Sequence, residues 1–460
     1  MDHIVFLTGR LAEKSLKQVL EGMAPTPFTW EIREIGLQVA GLMTTDLILR
    51  RVPRPLGANR MILPGRCRGD LDALRTHYDV AVERGPEEVK DLPQFFGREA
   101  RHFDLSRHDT AIFAEIVDAP KLDLDGIAAR AKHYAAQGAD VIDIGCLPQT
   151  PFPHLEDAVR MLKEHGYRVS VDSMQTDELV RGGRAGADYL LSLNLDTLWI
   201  ADEVPATPIL VAREPRDPAS LDAAIEALSR RGRAFLADPV LDPIPFGLAA
   251  SIARYVGLRE RYPHIDIMMG IGNVTELTEA DTSGINAVLL GIAAELHVSA
   301  VLTTSVSLHA RRAIREADVA RRVMYAAREA QVLPKGISGE LSALHAKRPF
   351  PYDAKEIDEV ANAIRDPNFR VQVATDGIHV YNRDGHQTAG DPFALYPGLK
   401  LETDGGHAFY MGVQLARAEI AWQLGKRFDQ DKALDWGCEV DRPEEDLSAW
   451  QAPGATVKKR

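Results

Sequence analysis

The stretch GADVIDIGCLPQTPFPHLEDAVRMLKEHGYRVSVDS, residues 138–173, decides the fold. It contains two short apolar runs, DVIDIG and RVSVDS, and each carries an aspartate near its end, Asp143 and Asp172. The segment between them repeats apolar side chains at helical spacing: Leu155, Ala158, Val159 and Leu162. Apolar strands that alternate with amphipathic helices are typical of a parallel sheet that is buried on both faces.

The same alternation continues from about residue 110 to 331 and contains eight strand candidates. They are residues 111–117, 140–145, 168–173, 189–194, 208–214, 234–240, 265–273 and 300–306. Eight strands that alternate with helices predict a closed (β/α)₈ TIM barrel. An open doubly wound sheet remains the alternative, because closure of a sheet cannot be seen in a sequence.

The chain on either side predicts two further domains. Residues 1–109 alternate strands and helices in a Rossmann-like α/β pattern, without GxGxxG or a P-loop, so we expect no nucleotide site there. Residues 332–460 begin with a linker and continue with strand-like segments and a long helix, which predicts a C-terminal α+β domain. The predicted domains are therefore 1–109, 110–331 and 332–460.

Composition excludes several classes of partner. The formal net charge is −13 and no long run of Lys or Arg occurs, which argues against nucleic acid as the main partner. Three cysteines without CxxC spacing fit a reducing compartment. The longest apolar stretch is interrupted by Glu295 and His297, so we expect no membrane span. These features, with no signal peptide evident at the N-terminus, predict a cytoplasmic protein.

Polar residues follow the predicted strands at their carboxyl ends, where TIM barrels place their active sites. They are Glu115, Asp143, Asp172, Asn194, Arg213, Asp238, Asn273 and Thr303–Ser305. A carboxylate accepts two parallel hydrogen bonds from an amino group and a neighbouring ring N–H, and an amide both donates and accepts. This set suits the 2-amino-4-oxo edge of a pterin. We expect the acids to be tolerated because the strand ends open into one shared polar mouth.

Two other interpretations stay open at this point. An aspartate at a strand end is often the N-cap of the next helix, which would fit Asp172-Ser173 and Asp238-Pro239. Carboxylates with asparagine also suit Mg²⁺, for which Glu115 is a candidate ligand.

Several pieces of the sequence resemble the pterin-binding barrel family, which includes dihydropteroate synthase and the corrinoid-linked methyltransferases. They are GADVIDIG, RVSVDSMQ, the Asn194 that ends YLLSLN, Asp238-Pro239, and GIGN at 270–273. The resemblance covers roughly residues 108–330. It implies that Asp172, Asn194 and Asp238 hold the pterin edge, with Asp143 close by.

The three-part layout is similar to dihydropteroate synthase-related proteins of methane-producing archaea and methylotrophic bacteria. Those proteins carry a C-terminal helix like HAFYMGVQLARAEIAWQLG, seen here at residues 407–425. They are associated with tetrahydromethanopterin, a folate-like C1 carrier, so the resemblance implies a place in that pathway.

The chain departs from the synthase pattern where the synthase binds its anionic leaving group. The synthase has a DIGGEST-like loop, a Ser-Arg-Lys segment and an Arg-x-His, whereas this chain has DIGCLPQTPFPH, GIGNVT and LTTSVS. Arg213 could supply some of the missing positive charge. GIGNVT is similar to the methyltransferase segment whose asparagine approaches the pterin N5, which points to Asn273.

The resemblance implies an enzyme that joins a 6-hydroxymethyl-dihydropterin derivative to an arylamine. In this hypothesis Asp143 and Arg213 are catalytic, and Glu115 holds a possible Mg²⁺. The pterin-binding residues are Asp172, Asn194, Asp238, Gly270 and Asn273. The alternatives are a methyl-tetrahydropterin-dependent methyltransferase and a non-catalytic pterin-binding subunit. Expected partners are the pterin, a second small substrate and a second copy in a homodimer.

Overall fold

The structure, a computed structural model, describes residues 2–97, 103–214, 217–441 and 446–448. The chain divides into two units. The first contains Met1–His102, Leu344–Trp436 and Val440–Arg460, and the second contains Phe103–Ala343 with Gly437–Glu439. The first and last of the predicted domains therefore fall largely within one unit, and the division into three domains stays a prediction.

The N-terminal part of the first unit is a parallel four-stranded sheet with helices. Its elements are β1 (Asp2–Thr8), α1 (Arg10–Gly22), β2 (Phe28–Glu34), α2 (Thr45–Arg51), β3 (Arg60–Leu63), α3 (Leu71–Tyr78), β4 (Ala81–Arg84) and α4 (Leu92–Phe95). The strand order β2-β1-β3-β4 with parallel pairs confirms the Rossmann-like layout.

The C-terminal part of the same unit is an antiparallel meander with helices. Its elements are α14 (Ala354–Ala363), β13 (Arg370–Ala374), β14 (Gly377–Asn382), β15 (Gly385–Ala389), α15 (Pro392–Leu399) and α16 (Gly405–Leu424). The strands pair in the order β13-β14-β15, which confirms the predicted α+β character. Among the described residues, no helix is both long and apolar enough to cross a membrane.

The second unit is a closed barrel of eight parallel strands. Its strands are β5 (Ala111–Ile116), β6 (Val141–Gly145), β7 (Arg168–Asp172), β8 (Tyr189–Leu193), β9 (Thr207–Leu210), β10 (Leu236–Ala237), β11 (Asp266–Gly270) and β12 (Ala300–Thr303). Its helices are α5 (Leu124–Ala136), α6 (Leu155–Glu164), α7 (Thr176–Ala185), α8 (Ile200–Glu203), α9 (Pro218–Arg230), α10 (Leu248–Arg261), α11 (Gly272–Thr275), α12 (Thr282–Glu295) and α13 (Ala313–Glu329). Because β12 pairs with β5, the ring is closed. The TIM-barrel prediction is confirmed and the open-sheet alternative is wrong.

Strand alternation sorts the side chains into two layers. Residues that face the helices join the large apolar cluster, for example Ile142 and Ile144 of β6. Residues that face the barrel axis form a separate small cluster, with Phe113 from β5 and Val141 from β6. The next position of β6 that faces the barrel axis is two residues further on, so Asp143 lies directly above this small apolar cluster.

A buried arginine connects the last helix of the barrel, α13, to the segments that precede β5 and β6. Arg321 of α13 has a 2% exposed side chain and donates hydrogen bonds to the carbonyl oxygens of Thr110 (2.7 Å) and Gly138 (3.0 Å). It also pairs with the carboxylates of Asp318 and Asp140. Gly138 has φ +110°, and a Cβ there would meet the Asp318 carboxyl carbon at 2.6 Å, so only glycine fits. The helix after the last strand is thereby fixed to the residues that precede the first two strands.

Arg321→Met should lower the free energy of unfolding by about 3–5 kcal/mol, because it removes the buried cation beside Asp318 and Asp140 and the donor to the Thr110 and Gly138 carbonyls. Equilibrium unfolding in urea, followed by circular dichroism, measures the loss. Arg315→Met is the matched control, since Arg315 contacts Asp318 at 3.4 Å from a 41% exposed position. That control should change stability by no more than about 0.5 kcal/mol. Equal stabilities of the two variants would contradict the role given to Arg321.

Candidate functional site

Three acids from neighbouring strands meet at the carboxyl end of the barrel. Glu115 of β5 pairs in register with Asp143 of β6, and Gly145 of β6 pairs with Asp172 of β7. One carboxylate oxygen from each acid lies within 4.8 Å of the others. The structure therefore brings together three of the residues that the sequence singled out, and their oxygen donors are of the kind that Mg²⁺ prefers.

Asp143 is completely buried, at 0% exposure. Its Oδ1 accepts a hydrogen bond from the Ser170 hydroxyl, which occupies the paired position on β7. Its Oδ2 is buried and, within the described part of the chain, has no hydrogen-bond partner. The expectation of an open polar mouth is therefore wrong for Asp143. The reason is the strand period, which places residue 143 two positions below the end of β6, inside the barrel.

Burial raises the pKa of all three carboxyl groups. Desolvation raises the pKa of Glu115. Desolvation, together with the charges of Asp172 and Glu115, raises the pKa of Asp143 well above its ordinary value, against a lowering by the Ser170 hydrogen bond. Desolvation and the charges of Glu115 and Asp238 raise the pKa of Asp172 to about 7. Three negative charges are therefore strongly disfavoured here, and the cluster binds protons, a cation or the N–H donors of a ligand.

A glycine makes room for the cluster. Gly145 is buried at the end of β6, and a Cβ built there would lie 2.6 Å from Oε1 of Glu115. Any side chain at this position would displace the Glu115 carboxylate. The motif DVIDIG contains this glycine, but the sequence did not show that it makes room for the Glu115 side chain.

Asp238 follows β10 and is held by a network of its own. Its Oδ1 accepts hydrogen bonds from the Tyr255 hydroxyl (2.6 Å) and from the Val240 amide (2.7 Å). Desolvation raises the pKa of Asp238 to about 6, although these two bonds and the charge of Arg254 lower it. Val240 has φ +65°, a strained conformation for a β-branched residue, and Arg254 secures it by donating to the Val240 carbonyl (2.7 Å). Tyr255 and Arg254 were missed in the sequence, because both lie on the following helix.

The N-cap interpretation of the aspartates fails for Asp172. Helix α7 begins at Thr176 after the N-cap residue Gln175, and no side-chain hydrogen bond from a described residue caps it. Asp238 does bind the amide two residues ahead, in a local turn, but the next helix starts only at Leu248. Neither acid therefore serves as a helix cap, and both carboxylates are left for the barrel mouth.

Asn194 and Arg213 are joined through the loop after β8. The Asn194 Oδ1 accepts from the Asp196 amide (2.9 Å), so the acceptor of this side chain is used within its own turn. The Arg213 guanidinium pairs with the Asp196 carboxylate at 2.8 Å, with 43% of the Arg213 side chain exposed. Arg213 thus lies in an exposed ion pair with Asp196, and its catalytic role stays a prediction.

The last two predicted binding residues belong to the segment after β11. Asn273 is exposed, and its Nδ2 donates to the Leu241 carbonyl (2.8 Å), which links this segment to the loop after β10. Gly270 ends β11, and a Cβ there would meet nothing within 4 Å. Open space therefore exists above the backbone at Gly270, and the ligand roles of both residues stay predictions.

Cys146 follows the cluster but is not an activated nucleophile. Burial raises the pKa of its thiol, and the nearby carboxylates of Glu178, Asp143 and Asp172 raise it further. The thiolate, which is the nucleophilic form, is therefore disfavoured.

Comparisons with known proteins give one family, one relative and a set of solved structures. A family of unknown function, DUF6513, matches residues 2–87. The uncharacterized protein MJ0107 of Methanocaldococcus jannaschii is 24% identical over 93% of this chain and 98% of its own length.

Solved dihydropteroate synthases resemble about half of the chain. The Yersinia pestis enzyme with a pterin–sulfa conjugate has 19% identity and a TM-score of 0.39, over 49% of this chain and 95% of its own. The Vibrio fischeri enzyme has 15% identity and a TM-score of 0.38, over 49% and 94%.

Asp172→Asn should stabilise the folded protein at pH 8 by about 1–3 kcal/mol. The pKa of Asp172 is raised on folding, so its contribution to stability is present at about pH 4 and is lost as the pH rises through 7. The neutral amide escapes this loss, and the difference between variant and wild type should shrink toward zero at pH 4. Urea unfolding at both pH values measures it.

Asp177→Asn is the control for this experiment, because Asp177 has an 81% exposed side chain in the first turn of α7. It should leave stability nearly unchanged at both pH values. If Asp172→Asn destabilises the protein at pH 8, the carboxylate is stabilised by contacts that the structure does not contain.

Proposed function

We propose that the barrel mouth binds the 2-amino-4-oxo edge of a reduced pterin. We further propose that the chain is a dihydropteroate synthase-like transferase of tetrahydromethanopterin biosynthesis. Its reaction joins a 6-hydroxymethyl-dihydropterin derivative to an arylamine. The sequence resemblance of RVSVDSMQ, YLLSLN and the Asp238 segment to pterin-binding barrels supports this assignment.

The observation that carries the proposal is the surplus of hydrogen-bond acceptors at the barrel mouth. In the part of the chain that the structure describes, Asp143 keeps a buried oxygen without a hydrogen-bond partner, and one carboxylate oxygen each of Glu115, Asp143 and Asp172 lie within 4.8 Å of one another. A buried acceptor without a donor costs about 1–3 kcal/mol, so the site favours a ligand that brings donors. The amino group and ring N–H of a pterin are two parallel donors on one planar edge, which matches one carboxylate.

In this proposal Asp172 and Asp238 hold the pterin from two sides of the mouth. The charge of Asp238 contributes to the raised pKa of Asp172, so the two carboxyl groups influence each other electrostatically. Asn194 contributes its Nδ2 as a donor toward the pterin carbonyl, since its oxygen is bound in the turn. Donors and acceptors placed in this way discriminate against heterocycles that lack the edge.

The proposed chemistry is a displacement at the methylene carbon of the bound pterin. The arylamine nitrogen forms a bond to this carbon while the bond from the carbon to the leaving oxygen breaks, and the oxygen keeps the electron pair. The nitrogen then loses one proton, and Glu115, whose pKa is raised by desolvation, is the proposed acceptor. Binding both substrates in contact supplies much of the rate acceleration.

An anionic leaving group needs positive charge, and this is where the chain differs from the synthase pattern. The segments GIGNVT and LTTSVS contain neither lysine nor histidine, and Arg213 is paired with Asp196. As the alternative to proton transfer by Glu115, the carboxylates of Glu115 and Asp143 would hold a divalent cation such as Mg²⁺. That ion would supply positive charge at the mouth and leave Asp172 to the pterin.

Binding of 6-hydroxymethyl-7,8-dihydropterin, measured by isothermal titration calorimetry, tests the pterin site. Asp172→Asn should weaken the affinity by about 100-fold, because two charge-assisted hydrogen bonds are lost. Asp177→Asn, the exposed control on α7, should bind as the wild type does. A wild-type protein that binds no pterin, or an Asp172→Asn variant that binds equally well, would show that the acids serve another ligand.

The reaction is tested separately from binding. The wild type is incubated with the pterin diphosphate and p-aminobenzoate or another arylamine, and the coupled product is followed by mass spectrometry. Tight pterin binding without a coupled product favours the non-catalytic subunit. Loss of the methyl group from a methyl-tetrahydropterin favours the methyltransferase.

A further inference from the structure

Two histidines face each other on the antiparallel sheet of the first unit, far along the chain from the barrel residues. His379 lies on β14 directly opposite Thr388 of β15, and His386 is two residues before Thr388, so all three share one face. The ring nitrogens His379 Nδ1 and His386 Nε2 are 3.0 Å apart. The Thr388 hydroxyl lies 3.1 Å from the same His379 nitrogen.

Each histidine is oriented by a carboxylate on its other ring nitrogen. The Asp376 carboxylate, in the turn before β14, accepts a hydrogen bond from His379 Nε2 (2.9 Å). The Asp358 carboxylate of α14 accepts one from His386 Nδ1 (3.0 Å). A carboxylate is an acceptor, so the two outer nitrogens, His379 Nε2 and His386 Nδ1, carry the protons. The inner nitrogens are His379 Nδ1 and His386 Nε2, which face each other.

This arrangement leaves two lone pairs facing each other across 3.0 Å. A neutral imidazole has one N–H and one acceptor nitrogen, so with both outer nitrogens protonated both inner nitrogens are acceptors. The Thr388 hydroxyl has one hydrogen and can donate to His379 only. The two lone pairs repel each other, so this separation requires a positive charge between the nitrogens. An added proton or a metal ion would supply it.

We propose that His379 and His386 bind one divalent transition-metal ion through these facing nitrogens. Two nitrogens bound to one ion at about 2.0–2.1 Å in adjacent positions lie about 3.0–3.4 Å apart, which fits the observed separation. A carboxylate behind each metal-binding histidine is the usual second partner, since it fixes the tautomer and makes the ligand more basic.

Burial and access also fit a metal ion. His379 is 1% exposed, so its ring is held rigidly between the strands. His386 and Asp358 have side chains that are 22% and 58% exposed, so water reaches the open side and can complete the coordination. Imidazole ligands select Zn²⁺, Ni²⁺ or Cu²⁺ over Mg²⁺, which distinguishes this pair from the all-carboxylate cluster of the barrel.

The test uses the full chain, freed of metal with EDTA and titrated with Zn²⁺ by calorimetry at pH 7.5. The bound zinc is also counted by elemental analysis after gel filtration. His386→Gln should lose one zinc equivalent. Asp358→Asn, which removes only the outer carboxylate from an exposed position, should weaken zinc binding by about 10–100-fold.

Two controls separate this site from others. Asp384→Asn changes an acid of the same hairpin whose side chain is 69% exposed, and it should bind zinc as the wild type does. Asp172→Asn, in the barrel cluster, should keep the equivalent that His386→Gln loses. Circular dichroism in EDTA checks the fold of His386→Gln, and if that variant unfolds, Asp358→Asn decides.

Two results would overturn the proposal. In one, the wild type binds no zinc at concentrations up to about 0.1 mM, which means an affinity too weak for a functional metal site. In the other, His386→Gln and Asp358→Asn bind zinc with wild-type affinity. Either outcome means that a shared proton, and not a metal ion, lies between the histidines.

Discussion

The pairing of β12 with β5 is the contact on which the site depends, because it closes eight strands into a ring. Closure directs the carboxyl ends of all strands to one mouth. At the amino ends of the strands, Arg321 secures the seam through the carbonyls that precede β5 and β6. A slip of one residue in either strand would turn Glu115 or Asp143 toward the helices. The register at this seam therefore determines which side chains form the site.

The acids at the barrel mouth lower the stability of the fold, although they are the groups that suit ligand binding. A buried carboxylate without donors raises the free energy of the folded chain, and here several such groups repel each other. The fold tolerates them because a large apolar cluster surrounds the barrel and because Ser170 and Tyr255 each satisfy one oxygen. Among the described residues, the second Asp143 oxygen has no hydrogen-bond partner, which is the physical reason for the proposal that a ligand supplies a donor.

The sequence predicted much of the fold and part of the site. The eight strands, their alternation with helices and the two flanking folds followed from local apolar periodicity. The sequence also singled out Glu115, Asp143 and Asp172, which the structure brings together, but it did not show that Asp143 is completely buried. The sequence did not predict the hydrogen-bond partners that other secondary-structure elements supply to these acids. Ser170 is 27 residues from Asp143, and Tyr255 is 17 residues from Asp238, and no local pattern connects them. Arg213 was assigned to catalysis by position, but its partner Asp196 became visible only in the structure.

The sequence by itself determined the type and order of the elements and the face on which each side chain lies, because these depend on the strand and helix periods of neighbouring residues. The tertiary structure decided which polar atoms are satisfied. Within the described residues, it left one Asp143 oxygen without a hydrogen-bond partner and brought a ring nitrogen of His379 to 3.0 Å from one of His386. Hydrogen bonding and charge repulsion act over a few ångströms between elements, and those distances exist only once strand register and barrel closure are set.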